Sequence, residues 1–270
     1  HHNNLATLYL TCGEVVKGIQ LLERAIELDK MLVQPHMVLA TLALSNGEFD
    51  RCINHCNQAL QLNKTLKGIN LTLAKAYSSK KDYESSDKSL HHELNLNKKC
   101  IDSYILLVKN NIAREHLEEA YHELQKVIQM FPAVAYLYTL EGLVWAELEN
   151  PDAAIQSYNK AIEIDNNEYR ALIYLGILYY KLRDEKRAII ALEKSLELQI
   201  SANALTVLSE IYTASGEHDK ALKYAEKAIS LNDATAQSCC HLASLYLKTN
   251  NLPQAKLYAK KSIQKNLLKI

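Results

Sequence analysis

An all-α array of stacked helix pairs is the fold class this sequence predicts, and three observations predict it. Apolar residues recur at helical spacing, and no strand-like alternation of any length is present. Only seven Gly and four Pro interrupt the pattern, fewer than a turn-rich β protein needs. The chain also resembles itself at a fixed spacing of 34 residues, as from Gly142 to Gly176, a period that marks helical repeats.

The repeated element is clearest at 169–198, YRALIYLGILYYKLRDEKRAIIALEKSLEL. A first helix carries Leu172, Leu175, Gly176 and Tyr179 at helical spacing, and a second carries Ala188, Leu192 and Ser195. Between them Leu182-Arg183-Asp184 is a polar corner, short enough to force antiparallel packing. Sliding this element along the chain places eight repeats: 1–32, 33–66, 67–100, 101–134, 135–168, 169–201, 202–235 and 236–269. They are expected to form one continuous array.

Three columns test the register. Two helix axes approach closely only over small residues, and the first column reads Ala6, Ala40, Ala74, Val108, Gly142, Gly176, Ser209 and Ala243. Three residues later come Tyr9, Ala43, Tyr77, Asn111, Trp145, Tyr179, Tyr212 and Tyr246, mostly aromatics that fill the space left. The second helix opens its packing face with Gly18, Cys52, Ser86, Ala120, Ala154, Ala188, Ala221 and Ala255. Asn150-Pro151 supplies a capping side chain followed by a proline at the start of the second helix of repeat five, and Asn251-Leu252-Pro253 does nearly the same in repeat eight. Repeats three and four depart from the columns, with Ser86 and Glu93 where Ala is usual and with Val108 and Asn111 for the small and aromatic pair. Poorer packing and a bend are expected there.

On Leu175-Gly176, Tyr179, Ala188, Leu192 and Ser195, with Pro132 at the end of a repeat, the chain resembles the tetratricopeptide repeat family over its whole length. The resemblance implies a right-handed superhelical solenoid whose first helices line a concave face, used as a scaffold for protein–protein contacts. It also implies positions for two known binding devices, and both are missing. Val38, Thr72, Ile105, Leu106 and Val207 stand where a clamp for a terminal carboxylate needs polar or basic side chains, and only Asn4 occupies the column of an asparagine ladder.

Composition narrows the partners. Thirty-one basic and 31 acidic residues cancel, which removes any whole-molecule attraction to nucleic acid or to a membrane surface. No apolar run reaches the roughly 20 residues that span a bilayer. Six scattered Cys favour reduced thiols and a cytoplasmic setting. The chain opens without an initiator Met, so a targeting segment or a longer parent protein is compatible with it, as is end-to-end association through Leu267 and Leu268 at an uncapped last repeat.

No catalytic signature is present: no phosphate loop, nucleophile elbow, zinc-protease motif or calcium loop. No catalytic residue, metal or cofactor is therefore predicted. Cys52 and Cys56 share a helix face with His55 beside them, but they occupy packing positions, and zinc wants three or four ligands. His91 and His92 are expected to point outward and Cys239-Cys240 to pack. The lysines of repeat eight (Lys248, Lys256, Lys260, Lys261, Lys265 and Lys269) read as a solvated helix.

The first helices of repeats four to six are apolar where a partner would lie. Ile105, Leu106, Lys109 and Ile112 in repeat four, Tyr136, Leu140 and Leu143 in repeat five, and Ile173, Tyr174, Ile177 and Tyr180 in repeat six are the predicted partner-binding groove. Stripes at this spacing suit an amphipathic helix or extended segment of another protein, with affinity barely dependent on salt. The alternatives are a self-assembling structural protein and the substrate-recruiting part of a larger enzyme. Glu141 is the one charge in a column otherwise all Leu, and it needs either a partner or exposure.

Overall fold

The structure, a computed structural model, describes residues 2–231 and 236–267, with side chains for 5–231 and 236–264. Among the described residues it consists of sixteen α-helices and no strand. They are α1 (His2–Thr11), α2 (Val15–Leu28), α3 (Val33–Ser45), α4 (Phe49–Leu62), α5 (Ile69–Ser79), α6 (Tyr83–Leu96), α7 (Ile101–Ala113) and α8 (Leu117–Met130). The rest are α9 (Ala135–Glu147), α10 (Pro151–Ile164), α11 (Tyr169–Lys181), α12 (Glu185–Leu198), α13 (Ala202–Ala214), α14 (His218–Ser230), α15 (Ala236–Lys248) and α16 (Leu252–Leu267). Odd helices are the first helices of the predicted repeats and even helices the second. The chain divides into two compact units, His1–Val127 and Ile128–Ile270. Within each unit most helices pack on their own pair-mate and on the next pair, and the first helices α3, α5 and α7, and likewise α9, α11, α13 and α15, touch in succession.

One backbone device closes every pair. The middle corner residue is left-handed at Gly13, Gly47, Lys81, Glu115, Glu149, Arg183, Gly216 and Asn250, with φ between +58° and +81°. That conformation lets the next N–H reach back five residues: Asp82 to the Tyr77 carbonyl at 2.9 Å, Asn150 to Trp145 at 2.9 Å, Asp184 to Tyr179 at 2.9 Å. The helix therefore ends in a Schellman turn that satisfies its last carbonyls. The acceptors in these turns belong to the aromatic column. At the start of α10, Asn150 Oδ1 accepts from the Ala153 N–H at 3.2 Å, with Pro151 at the first helical position, as the sequence predicts.

The small-residue columns are the seams. Ala6, Ala40, Ala74 and Val108 in unit 1 and Gly142, Gly176 and Ser209 in unit 2 are buried, as are Ala120, Ala154, Ala188 and Ala221 opposite them. A Cβ built on Gly142 would lie 2.5 Å from the Tyr158 ring, and one on Gly176 would lie 2.6 Å from Leu192 Cγ, so no larger residue fits without movement.

Repeat three, where poorer packing is expected, carries hydrogen bonds at both of its departures from the columns. Ser86 Oγ donates to the Ala74 carbonyl at 2.9 Å across the seam. Glu93, fully enclosed, accepts the Gly68 N–H with both carboxylate oxygens at 2.8 and 2.9 Å and so caps α5 from the neighbouring helix. A buried acid at this position is satisfied by a helix N-terminus rather than by a cation. Glu141, the lone charge in its column, is half-buried and accepts from Ser157 Oγ at 2.9 Å. Among the described residues no helix is long and apolar enough to cross a membrane.

Candidate functional site

In unit 1 the first helices α3, α5 and α7 wall a cavity of about 740 Å³ at their corner ends. Ile105 and Leu106 of α7 form its apolar side, faced by Leu44, Phe49 and Tyr83. Lys75 and Lys109 occupy the same position in successive repeats, and both line the cavity, with Asp102 and three serines completing the wall. Of the predicted groove residues, Ile105, Leu106 and Lys109 meet here, while Ile112 is half-buried on the same helix. Lys75 was not singled out from sequence, although its spacing from Lys109 was the signal available.

A buried polar network anchors this wall from behind. Ser78, which lines the cavity, donates to Asn110 Oδ1 at 2.7 Å. The Asn110 amide donates to Ser86 Oγ at 2.9 Å and to Asp87 Oδ1 at 2.8 Å. Arg114 pairs with the other Asp87 oxygen at 2.5 Å and lies over the Tyr83 ring at 5.9 Å. Asn110 therefore uses both of its amide hydrogens and accepts at its carbonyl oxygen, which fixes α7 relative to α5 and α6. Lys80 pairs with Asp50 at the edge of the same region.

In unit 2 the predicted residues divide. Leu140 and Ile173 are only 3% and 6% exposed. They are core and not groove floor: Leu140 lies on α9, which packs on α10 and α11, and Ile173 on α11, which has first helices α9 and α13 on either side. Tyr174, Ile177 and Tyr180 are half-buried and pack against the same core. Tyr174 stacks on Tyr158 with centroids 6.1 Å apart, and Arg170 lies 4.9 Å over the Tyr136 ring. Burial raises the hydroxyl pKa of both Tyr136 and Tyr174. Leu143 is half-buried. Glu210, in the column that carries Ile177 one repeat earlier, has its carboxyl pKa raised by burial and takes a 3.5 Å hydrogen bond from Gln237. The inner face of unit 2 is thus largely its own core with one acid set into it.

The sulfur pair on α4 is packing: Cys52 and Cys56 are fully buried with Sγ atoms 4.0 Å apart. His55 turns instead to His36 of α3, Nδ1 to Nδ1 at 3.1 Å, a contact that requires one ring to donate and the other to accept. Among the described residues no three His, Cys, Asp or Glu come together as a metal set. His91 and His92 are exposed, Cys239 is buried and Cys240 is exposed. The side chains of Leu267 and Leu268 lie outside the described residues.

Comparison with known proteins agrees with this architecture. One family model described as tetratricopeptide repeat matches residues 169–199, 202–235 and 236–264, and a second of the same description matches 107–169. Anaphase-promoting complex subunit 3 of Schizosaccharomyces pombe is 27% identical over 127 residues, 47% of this chain and 19% of that protein. BBSome complex member BBS4 of Bos taurus is 27% identical over 96 residues, 36% of this chain and 18% of that protein. The chain thus spans about a fifth of the length of these curated relatives. Among solved structures, a tetratricopeptide repeat protein from Parabacteroides merdae superposes with a TM-score of 0.79 at 16% identity, covering 91% of this chain and 97% of its own. The human IFIT1 dimer with PPP-AAAA superposes with a TM-score of 0.62 at 16% identity, covering 92% and 68%. At such identities the likeness to these structures extends to the fold. With the matched segments covering more than half of its length and its described helices following one another as pairs, this chain belongs to the tetratricopeptide repeat family.

Proposed function

We propose that the chain is a non-catalytic scaffold that holds a segment of another protein in the first-helix groove of unit 1. The observation that carries this reading is the cavity itself, an opening of about 740 Å³ in which apolar and aromatic side chains stand beside two exposed lysines. Recognition sites for peptides have this character, with apolar pockets for anchors and a few polar groups that set orientation. Two or three anchors at about 1.5–3 kcal/mol each suffice for micromolar binding once the cost of ordering the segment is met. The names of the relatives point the same way, since a subunit of one complex and a member of another work by touching other proteins. In unit 2, Tyr174, Ile177, Tyr180 and Leu143 are half-buried, so each leaves only part of its side chain for any contact of that unit's own.

The test is a peptide selected on the full chain from a random display library. Ile105→Asp should weaken its binding at least tenfold while leaving the circular dichroism spectrum and Tm in place, because Ile105 lines the cavity. Unchanged binding in that variant refutes the groove of unit 1 as the site.

A further inference from the structure

We infer that the groove of unit 1 selects an acidic amphipathic segment, one in which carboxylates alternate with apolar anchors, and not a purely apolar one. This rests on the groove being the partner site. Lys75 and Lys109 are exposed, line the same cavity, and have no ion-pair partner among the described residues. The other cations around them are engaged, Lys80 with Asp50 and Arg114 with Asp87. Among the described residues Asp102 is the only acid in the cavity wall, so the site carries an excess of positive charge beside Ile105 and Leu106. A carboxylate placed there is complementary in charge to these two ammonium groups, which favours it over a neutral side chain at the same position.

Spacing sharpens the inference. The two lysines hold the same repeat position on α5 and α7, helices in contact whose axes lie roughly 8–10 Å apart. An extended segment rises about 3.3 Å per residue and turns alternate side chains to opposite faces, so the two acids that meet the lysines should be two or four residues apart. A nucleic acid strand fits less well, because it brings continuous phosphate charge and its affinity is built on many cations, whereas this groove offers two. The salt-independence expected of an all-apolar wall does not carry over to this groove, since a lysine-held segment weakens as ionic strength rises.

The experiment is the same random library panned on the full chain, with a 5′-phosphorylated oligoadenylate as a parallel probe. Enrichment of acids at about that spacing, affinity that falls with salt, and a loss of at least tenfold in Lys75→Gln/Lys109→Gln are expected. Both lysines are exposed and unpaired, so this variant keeps its fold. Neutral apolar winners that bind the double variant equally well overturn the charge inference and leave the groove reading standing. Winners indifferent to Ile105→Asp remove the groove reading and the inference with it. Oligoadenylate bound more tightly than any selected peptide, with the same lysine dependence, reassigns the groove to nucleic acid.

Discussion

Repeats three and five close their helix pairs by different physics. At α5/α6 the seam residue is Ser86, whose hydroxyl bonds the Ala74 carbonyl and accepts from Asn110. At α9/α10 it is a glycine, and the Tyr158 ring fills the space where a methyl would stand. The first seam depends on satisfied donors and acceptors, the second on shape. Two stretches of one repeat family, with helices of nearly the same length, are therefore vulnerable to different kinds of change.

The largest expected effect is on the polar side. Asn110→Ala removes three hydrogen bonds and strands the partners of a fully buried amide, which should cost about 3 kcal/mol and raise amide exchange chiefly in α5 to α7. A loss below about 1 kcal/mol, measured by denaturant midpoint, would mean that unit 1 also packs by shape. Gly142→Ala comes next: with 2.5 Å to a buried ring, overpacking should cost about 1–3 kcal/mol, read the same way and localised to α9 and α10. Neutral behaviour there would show that Tyr158 has room to move.

The smallest effect is on pH. Burial lowers the imidazole pKa of His36, and burial with the His36 and Arg51 charges lowers that of His55. The unfolded chain then binds more protons below about pH 6.5, so α3 and α4 should lose stability as pH falls through that range. Glu168, at the start of α11, has a carboxyl pKa raised by burial, so the folded state binds its proton first and acid favours it. Hydrogen exchange followed from neutral to mildly acidic pH should quicken in α3 and α4 relative to α11, by about 1 kcal/mol or less. Equal acceleration in both would count against the His36–His55 contact.

The seams and pair boundaries were legible because one backbone geometry demands small residues at each return of the period, and the columns from Ala6 to Ala243 and from Gly18 to Ala255 satisfy that demand. The Asn110 network was not legible, since Asp87, Ser86 and Ser78 lie 23, 24 and 32 residues away, and Ser86, the one departure from its column among them, pointed only to poorer packing. The burial of Ile173 was hidden for a related reason. A helix apolar all round must be covered, but only the structure tells that α9 and α13 supply the cover in place of a partner. Lys75 was not legible because the predicted groove spans repeats four to six, where Lys109, Leu143 and Ile177 stand in its column, and repeat three lies outside it.

The corners have a consequence for how such a chain can change over generations. Each requires a left-handed residue, yet five of the eight carry Lys, Glu, Arg or Asn in place of Gly. A side chain in that conformation costs roughly 1 kcal/mol, partly offset because glycine has more freedom to lose on folding. The corners thus form a set of nearly independent dials, since each lies in a different repeat and their effects should add. A lineage that alters the groove at some expense in stability can recover it by drifting to glycine at Lys81 or Glu115, without touching a partner surface or a seam. The reverse drift is tolerated while stability is in surplus. Recognition and durability can then evolve on separate residues of the same repeat.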